Sequence, residues 1–326
     1  GLVYSSLINN NVKLPQQEAL VAFGSLENTK KTNLLLNKNL IFLTELLEKH
    51  NIKFFVVKGQ TIANSYPRPL HRVGGDIDFY CFAEDLEKLL NILHKELNVE
   101  PKRDESEQHY TFLFNKTLFE LHFTLYKFAN TENQQYFDNL INSEPLSYTF
   151  IDNKKIPTLN PTLNLAYTFL HLFHHLIELG VGLRQFCDVA ILCHIAAIAE
   201  QEGDRKNCID KAKLIEILTR LDFLKAFTAI GTVLVDEIGL LEAEFPYTLT
   251  KKDYKRKKYI LNVVYKRGNF GKYGRTTKVR SGIKYYIEQT NIKLSHYYHL
   301  FNLSRKENIA LITKEIPKKI FQAIKR

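Results

Sequence analysis

The sequence holds no methionine and no tryptophan in 326 residues, and only four cysteines and nine prolines. The complete lack of methionine is improbable at this length. Cys81, Cys187, Cys193 and Cys208 show no paired spacing, which excludes a disulfide framework and a cysteine-based zinc site. Cys81 and Cys187 sit inside apolar patterns, as buried free thiols do, so a reducing compartment is expected. No apolar run comes near the ~20 residues of a membrane span, which excludes a membrane partner of that kind. The most apolar stretch, Leu163 to Leu183, carries three histidines and a glutamate and reads as a core helix. No apolar segment behind a basic start reads as a signal, and the expected location is cytoplasmic. Internal repeats and low-complexity segments are lacking too, which excludes solenoids and arrays.

Acidic residues are scarce in one place. Residues 251–326 hold 21 Lys and Arg against four Asp and Glu, a balance of +17, while the rest of the chain balances to −7 within the overall +10. Such asymmetry points either to an anionic partner, nucleic acid included, or to a solvated basic face. Ile260, Leu261, Val263 and Val264 interleave with these charges and call for a packing partner. The tail could therefore also pack over an acidic neighbour.

What is present reads as a soluble globular protein, with 45% hydrophobic and 25% charged residues and a length suggesting two domains. Apolar residues three and four apart predict a helix over 15–50. IKFFVVKG reads as a buried strand closed by glycine, QTIANSY as a short helix stopped by Pro67 and Pro69, and DIDFYCF as a second strand. AEDLEKLLNILHKEL is an amphipathic helix, and NVEPKRDESEQ a polar loop. HYTFLFN and TLFELHFTLY alternate across Asn115-Lys116 and predict a hairpin. From about 130 onward the pattern reads as helical. The expected class is α+β: an N-terminal helical segment over 1–40, a small mixed-sheet α/β core over 41–130, a helical domain over 131–250 and a basic helical tail over 251–326.

The chemistry concentrates in the α/β core. Asp76 and Asp78 share one face of their strand, and Leu118, Glu120 and His122 share one face of a later strand. A carboxylate between apolar strand neighbours is expensive to bury unpaired. Like charges two apart repel, so something positive should lie between them. Three carboxylates on adjacent strands suit a hard divalent cation, which points to Mg²⁺.

Lys58-Gly59, then Gly75-Asp76-Ile77-Asp78, then Glu120 resembles the nucleotidyltransferase superfamily that includes DNA polymerase β and kanamycin nucleotidyltransferase. More closely, VVKG…YP…R…GGDIDFY…LFELHF…LRQFCDVA…GNFG looks like a largely uncharacterised bacterial nucleotidyltransferase family, over roughly residues 35–275. The resemblance implies attack of an acceptor hydroxyl or phosphate on the α-phosphorus of a nucleoside triphosphate such as ATP. It implies Asp76, Asp78 and Glu120 as metal-holding and catalytic residues, with Glu120 also able to accept the acceptor's proton. Lys58, Gly59, Arg72 and Gly75 are implied at the nucleotide, and His122, Arg184 and Asp188 in a substrate pocket. Gly59-Gln60 departs from the Gly-Ser or Gly-Gly of the wider superfamily, leaving Lys58, Thr61 or the backbone to take the phosphates.

Bland alternatives stand beside each role. The two aspartates could cap a turn, Glu120 could pair with Lys58 or Arg72, Arg72 could be an exposed loop cation, and Arg184 and Asp188 could pair on a helix. His171 and His175 share a helix face but lack further metal partners, so they read as core or pocket histidines. RGNFGKYGR has no strand before it and is no P-loop; it reads as a basic lid or a turn. The acceptor is expected to be a small molecule. RNA or protein reached through the basic tail, or an inactive nucleotide-binding module, are the other readings.

Overall fold

The computed structural model describes residues 2–104, 108–178, 180–267, 283–315 and 317. Most of the glycine- and base-rich RGNFGKYGR stretch, including GNFG, lies outside the described residues, as does much of the end of the basic tail. Two compact units form. One comprises residues Gly1–Leu125 and Asn142–Asn160, the other Tyr126–Ile141 and Pro161–Arg326.

The first unit is built on one mixed sheet. Its strands are β1 (Phe54–Val57), β2 (Asp76–Cys81), β3 (Lys102–Arg103), β4 (His109–Phe114), β5 (Thr117–His122), β6 (Ser147–Ile151) and β7 (Lys154–Thr158), in the order β3-β4-β5-β2-β1-β7-β6. β2 runs parallel to β5 and β1 parallel to β7; the other neighbours are antiparallel. Helices α1 (Leu2–Asn9), α2 (Gln16–Lys49), α3 (Gly59–Ala63) and α4 (Leu86–Leu97) belong to the same unit.

The period of α2 explains its packing. Leu36, Leu40, Leu43 and Leu47 recur on one face and are buried. With Leu89, Ile92 and Leu93 of α4 they cover Ile77, Phe79, Cys81, Phe119 and Leu121. Each such side chain contributes about 1.5–3 kcal/mol on burial. Since strand side chains alternate, filling this face turns Asp76, Asp78, Glu120 and His122 to the opposite one. Asn39 Nδ2 donates to Thr117 Oγ1 at 2.7 Å and so ties α2 to the start of β5.

Two segments differ from the reading of the sequence. The loop after α4 contains the short strand β3, and residues 147–158 form a hairpin, not a helix. The hairpin turns at Asp152-Asn153, both at positive φ (46° and 66°), as a two-residue turn requires. Tyr148 and Phe150 are exposed, while Ile151 and Ile156 join the core. The hairpin adds to the sheet through Val56 and Thr158, an assignment that no local pattern announces.

The second unit is helical: α5 (Thr131–Ser143), α6 (Pro161–Glu178), α7 (Leu183–Glu202), α8 (Lys211–Arg220), α9 (Leu224–Val233), α10 (Lys251–Arg267), α11 (Ile283–Leu300) and α12 (Arg305–Ala310). Phe169 and Phe173 of α6 pack edge-on against Phe223, and Phe169 also meets Phe227. α10 packs on α9, burying Ile260, Val263 and Val264, which gives those tail residues their partner. No described helix is long and apolar enough to cross a membrane.

Candidate active site

The site starts where β1 stops. Lys58 has φ 54° and ψ −144°, and Gly59 follows at φ 40°. A lysine in such a conformation costs about 1–3 kcal/mol and persists only where its surroundings hold it. They do so from both sides. The Lys58 carbonyl accepts the Thr61 hydroxyl at 2.7 Å and the Thr61 N–H at 3.0 Å, while Lys58 Nζ lies 2.7 Å from Asp78 Oδ1.

The parallel pairing of β2 with β5 sets Asp76 beside Leu118, Asp78 beside Glu120, and Tyr80 beside His122. Carboxylate oxygens of Asp76, Asp78 and Glu120 come within 4.8 Å of one another. His122 Nε2 lies 3.0 Å from Asp78 Oδ1 and 3.6 Å from Glu120 Oε2. The charge sought between the aspartates is thus supplied within the chain by Lys58 and His122, on the side of Asp78. Burial would push the Asp78 carboxyl up, but Lys58 and the His122 hydrogen bond outweigh it and hold it well below the usual carboxylate range. Burial alone would lower the His122 imidazole, yet its hydrogen bonds to Asp78 and Glu120 raise it.

Asp76 differs. Burial first, then the neighbouring Asp78, push its carboxyl up to about 6, with Lys58 opposing and Glu120 adding. Negative charge there is under-compensated, all three ligand groups offer oxygen, and Asp76 and Glu120 stay partly accessible. These features fit a hard divalent cation.

Asn33 of α2 fixes the approach to β2. Its Nδ2 donates to the carbonyls of Leu70 at 2.8 Å and Arg72 at 2.7 Å. Arg72 is buried at 5% exposure, so it is not an exposed loop cation. At Gly74 a Cβ would stand 2.8 Å from Leu36 Cδ1 and 3.0 Å from Asn33 Oδ1, so any side chain there forces these neighbours to shift. At Gly75 a Cβ would meet nothing within 4 Å, leaving open space in front of the backbone.

Arg184 and Asp188 lie on α7, in the helical unit and not on the sheet; Asp188 is buried and Arg184 half-buried. His171 and His175 place their Nε2 atoms 3.0 Å apart on α6. The sequence reading missed His109. It pairs directly with His122 across β4 and β5, with ring centroids 5.0 Å apart. Burial lowers the His109 imidazole, with Glu120 pulling the other way. The signal was available: a two-residue turn at Asn115-Lys116 fixes the register and sets His109 opposite His122.

Among solved structures, the fold is similar to an antigenic nucleotidyltransferase-like protein from Paracoccidioides brasiliensis, with TM-score 0.42, 13% identity, and 68% of this chain and 96% of that one covered. It is also similar to the antibiotic-resistance factor ANT(2'')-Ia, with TM-score 0.37, 12% identity, and 54% and 90% covered. No curated protein matches the sequence. A family profile described as an uncharacterised nucleotidyltransferase matches residues 1–235, well over half of the chain, and the protein therefore belongs to that nucleotidyltransferase family.

Proposed function

We propose that the protein transfers a nucleoside monophosphate from a nucleoside triphosphate, ATP among them, to a hydroxyl or phosphate of a small molecule. The observation that carries this reading is the convergence of Asp76, Asp78 and Glu120 on one sheet face in a chain of this family. The acceptor oxygen forms a bond to the α-phosphorus, the bond from that phosphorus to the bridging oxygen breaks, and pyrophosphate leaves. Asp76, Asp78 and Glu120 would hold Mg²⁺, which supplies Lewis-acid stabilisation of the attacking and leaving oxygens when bound.

The chain's own groups do the rest. Glu120, half-buried, takes the proton of the acceptor. Lys58 and Arg72 offset phosphate charge. Gly59 and Gly75 allow phosphate to approach the backbone closely. His122 holds Asp78 in place by hydrogen bond.

A second reading keeps the chemistry and makes the acceptor RNA or protein. It rests on α10, which buries Ile260, Val263 and Val264 but exposes Lys251, Lys252, Lys255, Lys258 and Lys266. The experiment is incubation of the protein with each α-labelled triphosphate, Mg²⁺ or chelator, and a cell extract. Label that appears in the small-molecule fraction only with Mg²⁺ supports the first reading. Label made sensitive to ribonuclease or protease supports the second. No transfer from any triphosphate sinks both.

A further inference from the structure

One cluster on the sheet adds imidazoles to the carboxylate chemistry. His109, Glu120 and His122 each offer a ligand atom, and these atoms lie within 4.8 Å of one another. We propose that they form a site for a nitrogen-preferring divalent cation such as Zn²⁺, coupled to the carboxylate cluster through the shared Glu120. The inference goes beyond the transfer reading and does not depend on it.

The backbone prearranges the site. β4 and β5 pair in a register that sets His109 opposite His122 and Thr111 opposite Glu120, so three side chains of one tight hairpin converge on one face. Ligand atoms of a tetrahedral zinc ion stand roughly 3.4 Å apart at bonds of about 2.0–2.2 Å, a closure that side-chain rotation can supply. A second observation points the same way. His122 is 5% exposed, and its Nδ1 is buried without a hydrogen-bond partner among the described residues. Such a leftover atom is uncommon in a settled core. Asp104 Oδ2, 4.0 Å from His109 Nε2, stands where a further oxygen would be useful. Two imidazoles with one carboxylate favour Zn²⁺ and its late first-row neighbours, whereas an all-carboxylate set suits Mg²⁺.

The two sites compete. An ion drawn in by His109 takes Glu120 from the carboxylate cluster. Zn²⁺ should therefore inhibit any Mg²⁺-dependent activity.

The test titrates Zn²⁺ into the full chain by calorimetry, with cysteines kept reduced, and Co²⁺ by visible absorption. The expected result is one ion per chain whose affinity falls at least tenfold in His109→Asn. It should be unchanged in His171→Asn, which removes the other histidine pair. Thermal melting checks that each variant folds, and His109→Gln serves if His109→Asn does not. Binding that ignores His109, that is lost in His171→Asn instead, or that is undetectable at micromolar protein overturns the proposal. The readout needs no transfer assay, so inactivity towards every triphosphate would leave this inference standing while sinking the transfer reading.

Discussion

Lys58 Nζ lies 2.7 Å from Asp78 Oδ1, and the lysine reaches it from a backbone turned to φ 54°. Only 13% of the lysine side chain and 4% of the aspartate are exposed, so the pair is shielded from screening by solvent. Removing one partner of an interior ion pair costs up to about 3–5 kcal/mol, an upper bound here because Asp78 keeps His122 at 3.0 Å. Lys58→Ala is therefore expected to lower stability by up to that amount in urea unfolding. Lys58→Gly loses the same charge but relieves the backbone, and should be about 1–2 kcal/mol more stable than Lys58→Ala. Equal stability of the two variants would remove the claim of stored strain.

Asp76 stands in the opposite balance to Asp78. Burial, Asp78 and Glu120 hold its carboxyl up at about 6, so at pH 8 its ionised form destabilises the metal-free protein. Asp76→Asn should raise stability in chelator by about 1–3 kcal/mol, the sign expected where function opposes stability. Transfer activity should vanish. Adding Mg²⁺ should raise the melting temperature of the wild type, since an ion at a hundred times its Kd contributes about 2.7 kcal/mol, and should do little for the variant. A variant less stable than wild type in chelator would contradict the charge balance described here.

Much of this arrangement was legible before the structure, and the reasons are physical. Alternation along β2 and β5 settles which side chains share a face, because the period is two and one face must be apolar. The hairpin turn settles the pairing of β4 with β5. Neither pattern reveals that β5 lies parallel beside β2 with Glu120 level with Asp78; that depends on long-range packing under α2 and α4. Nor does local pattern show that Lys58 turns back onto Asp78, since positive φ at a lysine runs against intrinsic preference. The β6–β7 hairpin escaped for a third reason: its aromatic residues face solvent at the sheet edge.

The two adjacent glycines before β2 should behave differently. Gly74→Ala brings a methyl group to 2.8 Å from Leu36 Cδ1 and 3.2 Å from Gln60 Oε1, and a loss of about 1–3 kcal/mol is expected. Gly75→Ala meets open space and should leave denaturant stability within about 0.5 kcal/mol of wild type. If phosphate approaches the backbone there, the same variant should weaken triphosphate binding severalfold by calorimetry. Stability lost at Gly75 and kept at Gly74 would contradict the packing; unchanged triphosphate affinity in Gly75→Ala would remove Gly75 from the nucleotide site.

The basic helix α10 hangs on a buried aspartate. Asp253 is 4% exposed, and its carboxylate accepts the Thr250 N–H at 2.9 Å, the Thr228 hydroxyl at 2.7 Å and Arg256 at 2.8 Å. Burial would push this carboxyl up, but the hydrogen bonds from Thr250 and Thr228 and the Arg256 charge hold it below its ordinary value. The sign follows from linkage. A carboxyl lower in the folded state than in the unfolded one contributes stability above its unfolded pKa of about 3.9 and loses it as pH falls through the folded value. Asp253→Asn keeps the size and loses the charge. Its deficit against wild type, about 1–3 kcal/mol for charge-assisted hydrogen bonds, should be constant from pH 8 to about pH 5 and shrink below about pH 4. Melting curves of both proteins across that range provide the check. If α10 presents its lysines to a polyanion, the variant should also lose affinity for RNA at low salt, because the helix that carries them starts at this cap. A deficit that grows as pH falls below about 4 would show that Asp253 is not held ionised in the folded protein.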